Sequence, residues 1–231
     1  MRHTRDAAGV ERSVRVDVGD AVLAGDLAVP AEATGIVVFA HGSGSGRHSP
    51  RNRQVAETLR RAGLATLLMD LLTEAEEEVD LRTRHLRFDI GLLARRLAGA
   101  ARWLAGEPET AGRPIGYFGA STGGGAALVA AAEHPEGIGA VVSRGGRPDL
   151  ADDALPAVAA PTLLIVGGED HLVLDLNRQA LQRLRAEKHL AVVPGATHLF
   201  EEPGALDQVS ALAAEWFTRH LQGPTHRPDG P

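Results

Sequence analysis

The stretch Gly116-Tyr-Phe-Gly-Ala-Ser-Thr-Gly-Gly-Gly-Ala-Ala-Leu128 decides the expected fold of this chain, because it predicts a strand that turns directly into a helix. The largely apolar residues 114–118 indicate a buried strand. The small residues 124–132 can pack as a buried helix immediately afterwards. Ser121 falls between the two segments, so we expect it at a tight, strained corner of the backbone.

The corner is framed by a Gly-x-Ser-x-Gly pentapeptide centred on Ser121. Strand and helix backbones pass close together at such a corner, so the residues two positions before and after the serine must be small. Gly119 and Gly123 meet that requirement. Because Gly and Ala are abundant in this chain, the alternative interpretation is a glycine-rich turn without a chemical role. The strand–turn–helix context favours a nucleophilic serine.

The composition bounds the class of protein. A chain of 231 residues, 44% of them hydrophobic, fits one α/β domain with a sizeable core. Its formal net charge of −6 argues against a nucleic-acid surface. The chain has no cysteine, which excludes a disulfide, a thiolate zinc site and a cysteine nucleophile. Lys188 is the only lysine and is not part of a Gly-Lys-Ser/Thr motif, which excludes a P-loop.

The two ends of the chain are polar. Residues 1–12 are interpreted as a flexible leader, residues 13–222 as a single domain, and residues 223–231 as a disordered tail. The leader lacks the apolar core of a signal peptide, and no apolar run is long enough to cross a membrane. These features predict a cytoplasmic protein without a membrane partner.

Predicted strands and helices alternate along the chain. This order indicates an α/β fold with a mostly parallel, doubly wound sheet, helices on both faces, and an antiparallel hairpin that opens the sheet. The predicted strands are residues 14–18, 21–29, 36–40, 64–69, 114–118, 138–142, 162–166 and 190–193. The predicted helices are residues 53–62, a segment that follows the acidic stretch 71–80 and ends near residue 105, and residues 124–132, 174–187 and 206–220.

Three polar residues that each follow a predicted strand suggest acyl-transfer chemistry. In open α/β sheets, sites form beyond the carboxyl ends of the strands, which is where Ser121, Asp170 and His198 are expected. A serine hydroxyl needs a base to accept its proton, and the base needs an orienting acid. His198 is the candidate base and Asp170 the candidate acid. Glu169 is a rival acid, Asp170 could instead cap the following helix, and His171 is interpreted as a bystander.

Acyl transfer also places negative charge on the carbonyl oxygen of the substrate, and two backbone N–H groups usually stabilise it. The Thr122 N–H, at the start of the predicted helix, is one candidate donor. The other is the Ser43 N–H, in the glycine-rich loop that follows strand 36–40. A flexible turn without a catalytic role is the alternative interpretation of that loop.

Together these residues resemble the α/β-hydrolase superfamily, in which serine, acid and histidine follow in this order along the chain. Within it, the chain is similar to the dienelactone hydrolase-like branch. The similarity is carried by loop 41–44, the Gly-x-Ser-x-Gly turn 119–123, the acid turn 168–170 and the base turn 195–198. Dienelactone hydrolases proper use a cysteine nucleophile, whereas this chain has Ser121. The resemblance therefore implies a serine esterase or lactonase.

The expected function is cleavage of a carboxylic ester or lactone of a small molecule through an acyl-enzyme on Ser121. A non-catalytic small-molecule-binding protein on the same fold is one alternative. A nucleotide-dependent oxidoreductase is another, because the glycines in residues 116–125 loosely imitate a dinucleotide motif. That motif belongs after an early strand, however, and here it lies in the middle of the chain.

Two arginines are candidates for substrate recognition. Arg144 and Arg147 follow a predicted strand at the active edge and could hold a carboxylate of a small substrate. Solvated surface arginines are the alternative interpretation. The acidic segment 71–80 could form part of a cap or a solvated loop. No cofactor motif and no metal-binding cluster is visible in the sequence, and neither a cofactor nor a nucleic-acid partner is expected.

Overall fold

A computed structural model describes residues 9–222, and its centre is one eight-stranded sheet in the order β1-β2-β4-β3-β5-β6-β7-β8. β1 and β2 form an antiparallel hairpin, β2 is antiparallel to β4, and the remaining neighbours are parallel. The strands are β1 (Val10–Asp17), β2 (Val22–Val29), β3 (Ile36–Ala40), β4 (Ala65–Met69), β5 (Ile115–Ala120), β6 (Ile138–Arg144), β7 (Thr162–Gly167) and β8 (Lys188–Val193).

Helices cover both faces of this sheet, so the predicted mostly parallel, doubly wound architecture is confirmed. The helices are α1 (Pro50–Arg61), α2 (Glu74–Thr83), α3 (Ile90–Gly106), α4 (Thr122–Glu133), α5 (His171–Arg183) and α6 (Ala205–His220). Two short 3₁₀ segments, Leu86–Phe88 and Pro148–Ala157, complete the described elements. No helix in residues 9–222 combines the length and the apolarity that a bilayer-spanning segment requires.

The central strands are apolar throughout because they are buried on both sides. Consecutive side chains of a strand point to opposite faces. Val38 and Tyr117 therefore pack in the core under α3 and α4, whereas Val37 and Phe118 pack in the core under α1 and α6. Each fully buried side chain of this size contributes about 1.5–3 kcal/mol to stability. Packing on both faces fixes the positions of the central strands, and with them the positions of the loops at their carboxyl ends.

The sheet begins earlier than the sequence suggested. Val10 pairs with Val29 at the start of β1, so residues 10–12 belong to the hairpin and not to a leader. The side chain of Arg12 strengthens this start, because it forms ion pairs with Glu107 and Glu109 beyond the end of α3. Residues 1–8 of the predicted leader and the predicted tail, residues 223–231, lie outside the described part of the chain.

The acidic segment 71–80 is helical from residue 74 onwards and lines the cleft at the glycine-rich loop, which favours part of a cap over a solvated loop. Thr73 and Glu76 form a capping box at the start of α2, in which each side chain accepts from the backbone N–H of the other residue. Arg84 ends α2 in a left-handed conformation, and Asp89 caps the start of α3. The helix that was expected to run up to residue 105 is therefore shorter: it starts only after Asp89, and the end of α2 and a 3₁₀ turn precede it.

The helix before the last strand also starts earlier than predicted. α5 begins at His171 and ends at Arg183, whereas residues 174–187 were expected. Asp170 occupies the cap position, but its side chain makes no capping hydrogen bond. The side chain of Asp170 is therefore free to act elsewhere, which bears on the site described next.

Candidate active site

Ser121 lies at the corner between β5 and α4 with φ 51° and ψ −121°. Positive φ is rare for a residue with a side chain, and such strain is commonly found at functional positions. The close approach expected at this corner is present. A Cβ added to Gly119 would lie 2.5 Å from the Gly123 carbonyl oxygen, and one added to Gly123 would collide with the Ala40 carbonyl group. Both glycines are needed for β5, α4 and β3 to pack together.

Backbone hydrogen bonds from the neighbouring loop hold this corner in place. The Ser121 N–H donates to the Arg144 carbonyl oxygen at 3.2 Å. The Ser121 carbonyl oxygen accepts from the N–H groups of Gly124 at 2.9 Å and Arg147 at 3.1 Å. Both backbone polar groups of the strained residue are thus satisfied, and its half-buried hydroxyl makes no hydrogen bond to any other residue of 9–222.

The predicted acid and base are in direct contact. An Asp170 carboxylate oxygen lies 2.6 Å from His198 Nδ1, although 28 residues separate the two along the chain. If the Asp170 carboxylate accepts the Nδ1 proton, the other ring nitrogen, Nε2, is left as a proton acceptor. The rival Glu169 is exposed, and its carboxylate lies 3.8 Å from Nε2 of the exposed His171.

The loops after β7 and β8 bring these two side chains together. The Gly168 N–H donates to Val193 and the Glu169 N–H to Ala196. A Cβ on Gly167 would collide with the Ala196 carbonyl oxygen, so the two loops can approach this closely only with glycine there. The acid and the base are therefore positioned by backbone bonds that do not involve their own side chains.

The ring of His198 packs beside Gly145. This glycine directly follows Arg144, whose carbonyl oxygen accepts the hydrogen bond from the Ser121 N–H. A Cβ added to Gly145, which has φ 51°, would lie 3.5 Å from His198 Cε1. In the part of the chain that the structure describes, no hydrogen bond joins Ser121 Oγ to His198. Such contacts are often long in ligand-free enzymes and shorten when a substrate binds. Ser121 and His198 thus both lie beside the Arg144–Gly145 backbone, with the acid–base contact already formed.

The glycine-rich loop after β3 packs against the serine corner. A Cβ added to Gly42 would lie 3.2 Å from Ser121 Cβ, so the loop backbone passes directly beside the nucleophile candidate. The Ser43 N–H donates to Thr122 Oγ1 at 2.9 Å. Thr122 is the first residue of α4, and its own N–H has no acceptor within the helix. Both predicted oxyanion donors therefore lie beside Ser121, with the Ser43 N–H already hydrogen-bonded.

His41 fixes the orientation of this loop, a role that the sequence did not indicate. Its Nε2 accepts from the Leu71 N–H at 3.1 Å, so in the neutral ring the proton is on Nδ1, which lies 3.0 Å from the Gly42 carbonyl oxygen. Burial lowers the pKa of His41 below its ordinary value, although Asp70 and Glu77 act in the opposite direction. The neutral ring joins the loops after β3 and β4.

The segment between β4 and α3, the glycine-rich loop and Thr122 together line a small cleft. Asp80 is buried, forms an ion pair with Arg87, and accepts from the Leu86 N–H at 2.8 Å. A Cβ on Gly44 would lie 3.4 Å from an Arg87 guanidinium nitrogen, so this ion pair borders the glycine-rich loop. Sequence reasoning missed Arg87, because an arginine in an arginine-rich segment gives no local signal.

The two arginines proposed for substrate recognition have different surroundings. Arg147 donates two hydrogen bonds to the Asp149 carboxylate, at 2.8 and 2.7 Å, which compensates its charge. Arg144 is buried between Asn52 and the ring of Phe200, and within residues 9–222 it has no carboxylate partner. Burial lowers the pKa of Arg144 to about 10, which still leaves the guanidinium charged at neutral pH. Of the two, Arg144 is the one with an uncompensated charge.

No three His, Asp or Glu side chains of residues 9–222 are grouped so that they could hold a metal ion.

The sheet order, the strained serine corner and the acid–base pair on the last two strand loops define the class of protein as an α/β-hydrolase fold. Comparison with sequence families gives the more specific assignment. The family model described as "Dienelactone hydrolase family" matches residues 20–222. The chain therefore belongs to the dienelactone hydrolase family.

Individual relatives agree with this assignment. A crystal structure of a dienelactone hydrolase from Anabaena variabilis is 65% identical, covers 93% of this chain and 99% of its own, and superposes with a TM-score of 0.91. A dienelactone hydrolase-like promiscuous phosphotriesterase from metagenomic libraries is 19% identical over 94% of this chain and 100% of its own, with a TM-score of 0.75. At that identity the second structure supports the fold alone.

Curated relatives carry a different name. Two proteins from strains of Mycobacterium tuberculosis, provisionally named phosphoribosyl transferases, are each 60% identical to this chain over 214 residues. The match covers 93% of this chain but 47% of each relative. The chain thus spans about half the length of the curated relatives it matches, and their name describes proteins with much additional sequence.

Proposed function

We propose that the protein is a serine hydrolase that cleaves a carboxylic ester or lactone of a small molecule through an acyl-enzyme on Ser121. The observation that carries the proposal is the 2.6 Å contact between Asp170 and His198 Nδ1, at the edge where Ser121 is held at positive φ. Membership of the dienelactone hydrolase family supports the same chemistry.

The proposed reaction assigns one task to each side chain. His198 Nε2 takes the proton of Ser121 Oγ while the oxygen attacks the substrate carbonyl carbon, and Asp170 stabilises the imidazolium that forms. Collapse of the tetrahedral intermediate breaks the ester bond, and His198 returns the proton to the leaving alcohol. Water then repeats the sequence on the acyl-enzyme and releases the acid. The positive end of α4 and the Thr122 N–H favour the negative charge on the carbonyl oxygen.

Phosphoribosyl transfer is not proposed for this chain. The relatives that carry that name extend well beyond the match, which covers 47% of their length. The contact between Asp170 and His198 near Ser121 supports a serine hydrolase rather than a phosphoribosyl transferase. A binding protein without catalysis is the remaining alternative, and covalent labelling distinguishes it from an enzyme.

Labelling with a fluorophosphonate probe tests the proposal. The wild-type protein should be modified at Ser121 and should hydrolyse p-nitrophenyl acetate, whereas Ser121→Ala should lose both properties and retain its fold. Ser13→Ala is the matched control, because Ser13 is on β1, where its hydroxyl bonds to Asp26, and it should behave as wild type. An unlabelled wild-type protein, or a Ser121→Ala variant with full activity after removal of contaminating esterases, would contradict the proposed function.

A further inference from the structure

The second oxyanion donor is not free in this structure. The Ser43 N–H, which by its position in the loop should face the substrate carbonyl oxygen, instead donates to Thr122 Oγ1 at 2.9 Å. An oxyanion site that depends on this N–H would first have to break that bond. Two movements could release it: rotation of the Gly42–Ser43 peptide or rotation of the Thr122 side chain.

Rotation of the peptide is opposed from its other side. The Gly42 carbonyl group belongs to the same peptide as the Ser43 N–H, and its oxygen lies 3.0 Å from the Nδ1 of His41. The His41 ring is itself held by the Leu71 N–H. Turning the peptide would break both of its hydrogen bonds and leave the carbonyl group of the buried Gly42 without its partner.

Rotation of the Thr122 side chain is also opposed. Thr122 is 3% exposed and β-branched, so its side chain has few rotamers and little free space. A threonine hydroxyl provides one hydrogen-bond donor and two acceptor lone pairs. One lone pair receives the Ser43 N–H. Within residues 9–222, no hydrogen-bond acceptor takes the hydroxyl hydrogen, although Thr122 lines the small cleft at the glycine-rich loop and directly follows Ser121.

We infer that the Thr122 hydroxyl is itself an oxyanion donor: it donates a hydrogen bond to the substrate carbonyl oxygen while its Oγ1 accepts the hydrogen bond from the Ser43 N–H. Because the Thr122 N–H belongs to the same residue, the two donors can converge on one oxygen. A hydroxyl that accepts one hydrogen bond becomes a stronger donor in the next, so the Ser43 N–H contributes through Oγ1. The hydroxyl hydrogen stays on Thr122 Oγ1 throughout the reaction. The inference rests on the proposed function and adds one catalytic group to it.

Substitutions at Thr122 test the inference, because they remove the hydroxyl and keep the backbone N–H. Thr122→Val is nearly isosteric and should lower kcat for p-nitrophenyl acetate by about 10²-fold, with little change in KM, as expected for loss of one oxyanion donor. Thr122→Ser keeps the hydroxyl and should remain close to wild type. If Thr122→Val is as active as wild type or more active, the hydroxyl only blocks the Ser43 N–H, and the inference is wrong.

Thr110→Val is the matched control. The Thr110 hydroxyl is as deeply buried and donates to the Leu104 carbonyl oxygen at 2.6 Å, far along the chain from the site. Its loss should lower the melting temperature and leave kcat unchanged. Thr122→Ala replaces Thr122→Val if the valine variant does not fold. Labelling of Ser121 distinguishes the two hypotheses. If the wild type is not labelled, the proposed function is wrong. If the wild type is labelled and Thr122→Val is fully active, only the proposed role of the hydroxyl is wrong.

Discussion

The carboxyl and amino edges of the sheet differ in what they could bind. At the amino edge, a cavity of about 640 Å³ opens between α3, α4 and the starts of β5 and β6. The cleft lined by the glycine-rich loop and Thr122 at the carboxyl edge is much smaller, at about 20 Å³. The cavity at the amino edge is lined mainly by small or apolar groups, among them Ala98, Ala101, Ile115, Tyr117 and Gly139.

The larger cavity lies at the amino edge, whereas the strained backbone lies at the carboxyl edge. Among the described residues, the non-glycine residues with positive φ are Arg84, Ser121 and Phe200. All three lie in segments at the carboxyl edge: the cover of the cleft, the serine corner and the loop that carries His198. Strain persists where the surrounding structure holds it, and it is commonly found at functional sites. Strain and converging donors therefore favour the carboxyl edge for the candidate site, although the larger cavity lies at the amino edge.

The largest expected effect compares a histidine from each edge. His198→Ala removes the proposed base and should lower kcat for p-nitrophenyl acetate by about 10³-fold or more. His134→Ala, on the amino-edge cavity, should leave turnover within about twofold of wild type, since it removes no group that acts in the transition state. His171→Ala should be equally mild. The comparison of the edges fails if His134→Ala is the inactive variant, and the choice of base fails if His171→Ala is.

A glycine from each edge gives the next largest effect. Gly123→Ala places a Cβ against the Ala40 backbone, which cannot move without displacing β3, so we expect a loss of about 3 kcal/mol in the free energy of unfolding. Gly106→Ala, at the end of α3 with open space around it, should be neutral or stabilise by up to about 1 kcal/mol. Chemical denaturation of both variants measures the difference, and equal stabilities would show that the corner is not tightly packed.

His41 links stability to pH at the carboxyl edge. His41→Ala leaves the Gly42 carbonyl oxygen and the Leu71 N–H without their partner, so we expect a loss of about 2 kcal/mol in stability and about a tenfold lower kcat. Burial lowers the pKa of His41 in the folded state, so below about pH 6.5 the unfolded state binds more protons than the folded state. The stability of the wild type therefore decreases as the pH is lowered.

The stability difference between wild type and His41→Ala should therefore be largest above about pH 6.5 and narrow as the pH falls towards the lowered pKa. Denaturation curves across this range measure it, with His171→Ala as the exposed-histidine control. A difference that stays constant with pH would mean that His41 does not titrate as a buried neutral ring.

The smallest expected effect concerns Arg144. Its buried, uncompensated charge lies at the His198 loop and should attract anionic substrates without direct contact. Arg144→Gln should raise KM for a carboxylate-bearing ester about threefold more than for its neutral analogue, and added salt should reduce the difference. Arg147→Gln, whose charge Asp149 compensates, should show less discrimination. Equal KM changes for both esters with Arg144→Gln would leave this arginine without a role in recognition.

Much of the carboxyl edge could be predicted because its signals are local. The pentapeptide around Ser121 requires a tight strand–helix corner, and continuous apolar runs such as residues 36–40 identify strands buried on both faces. The positions of Asp170 and His198 follow from strand order, since parallel strands end at the same edge. The contact between those two side chains agrees with the order of residues along the chain.

Other features depend on contacts between distant segments. The role of His41 arises from the Leu71 N–H on the neighbouring strand loop, and Arg87 is set by the buried Asp80. A sequence shows neither which loops meet nor which charges become buried. The start of β1 at Val10 was missed for the same reason, because its pairing with Val29 and the ion pairs of Arg12 are both tertiary.

The Gly42–Ser43 peptide, hydrogen-bonded on both sides, has a consequence for how the protein responds to heat. Many enzymes inactivate before they melt, because a mobile active-site loop opens at a lower free energy than the whole fold. Here the loop is hydrogen-bonded through His41 to the segment that follows β4 and through Ser43 to Thr122 of α4, so these bonds must break before it can open. Thermal inactivation and global unfolding should therefore occur over the same range of temperature.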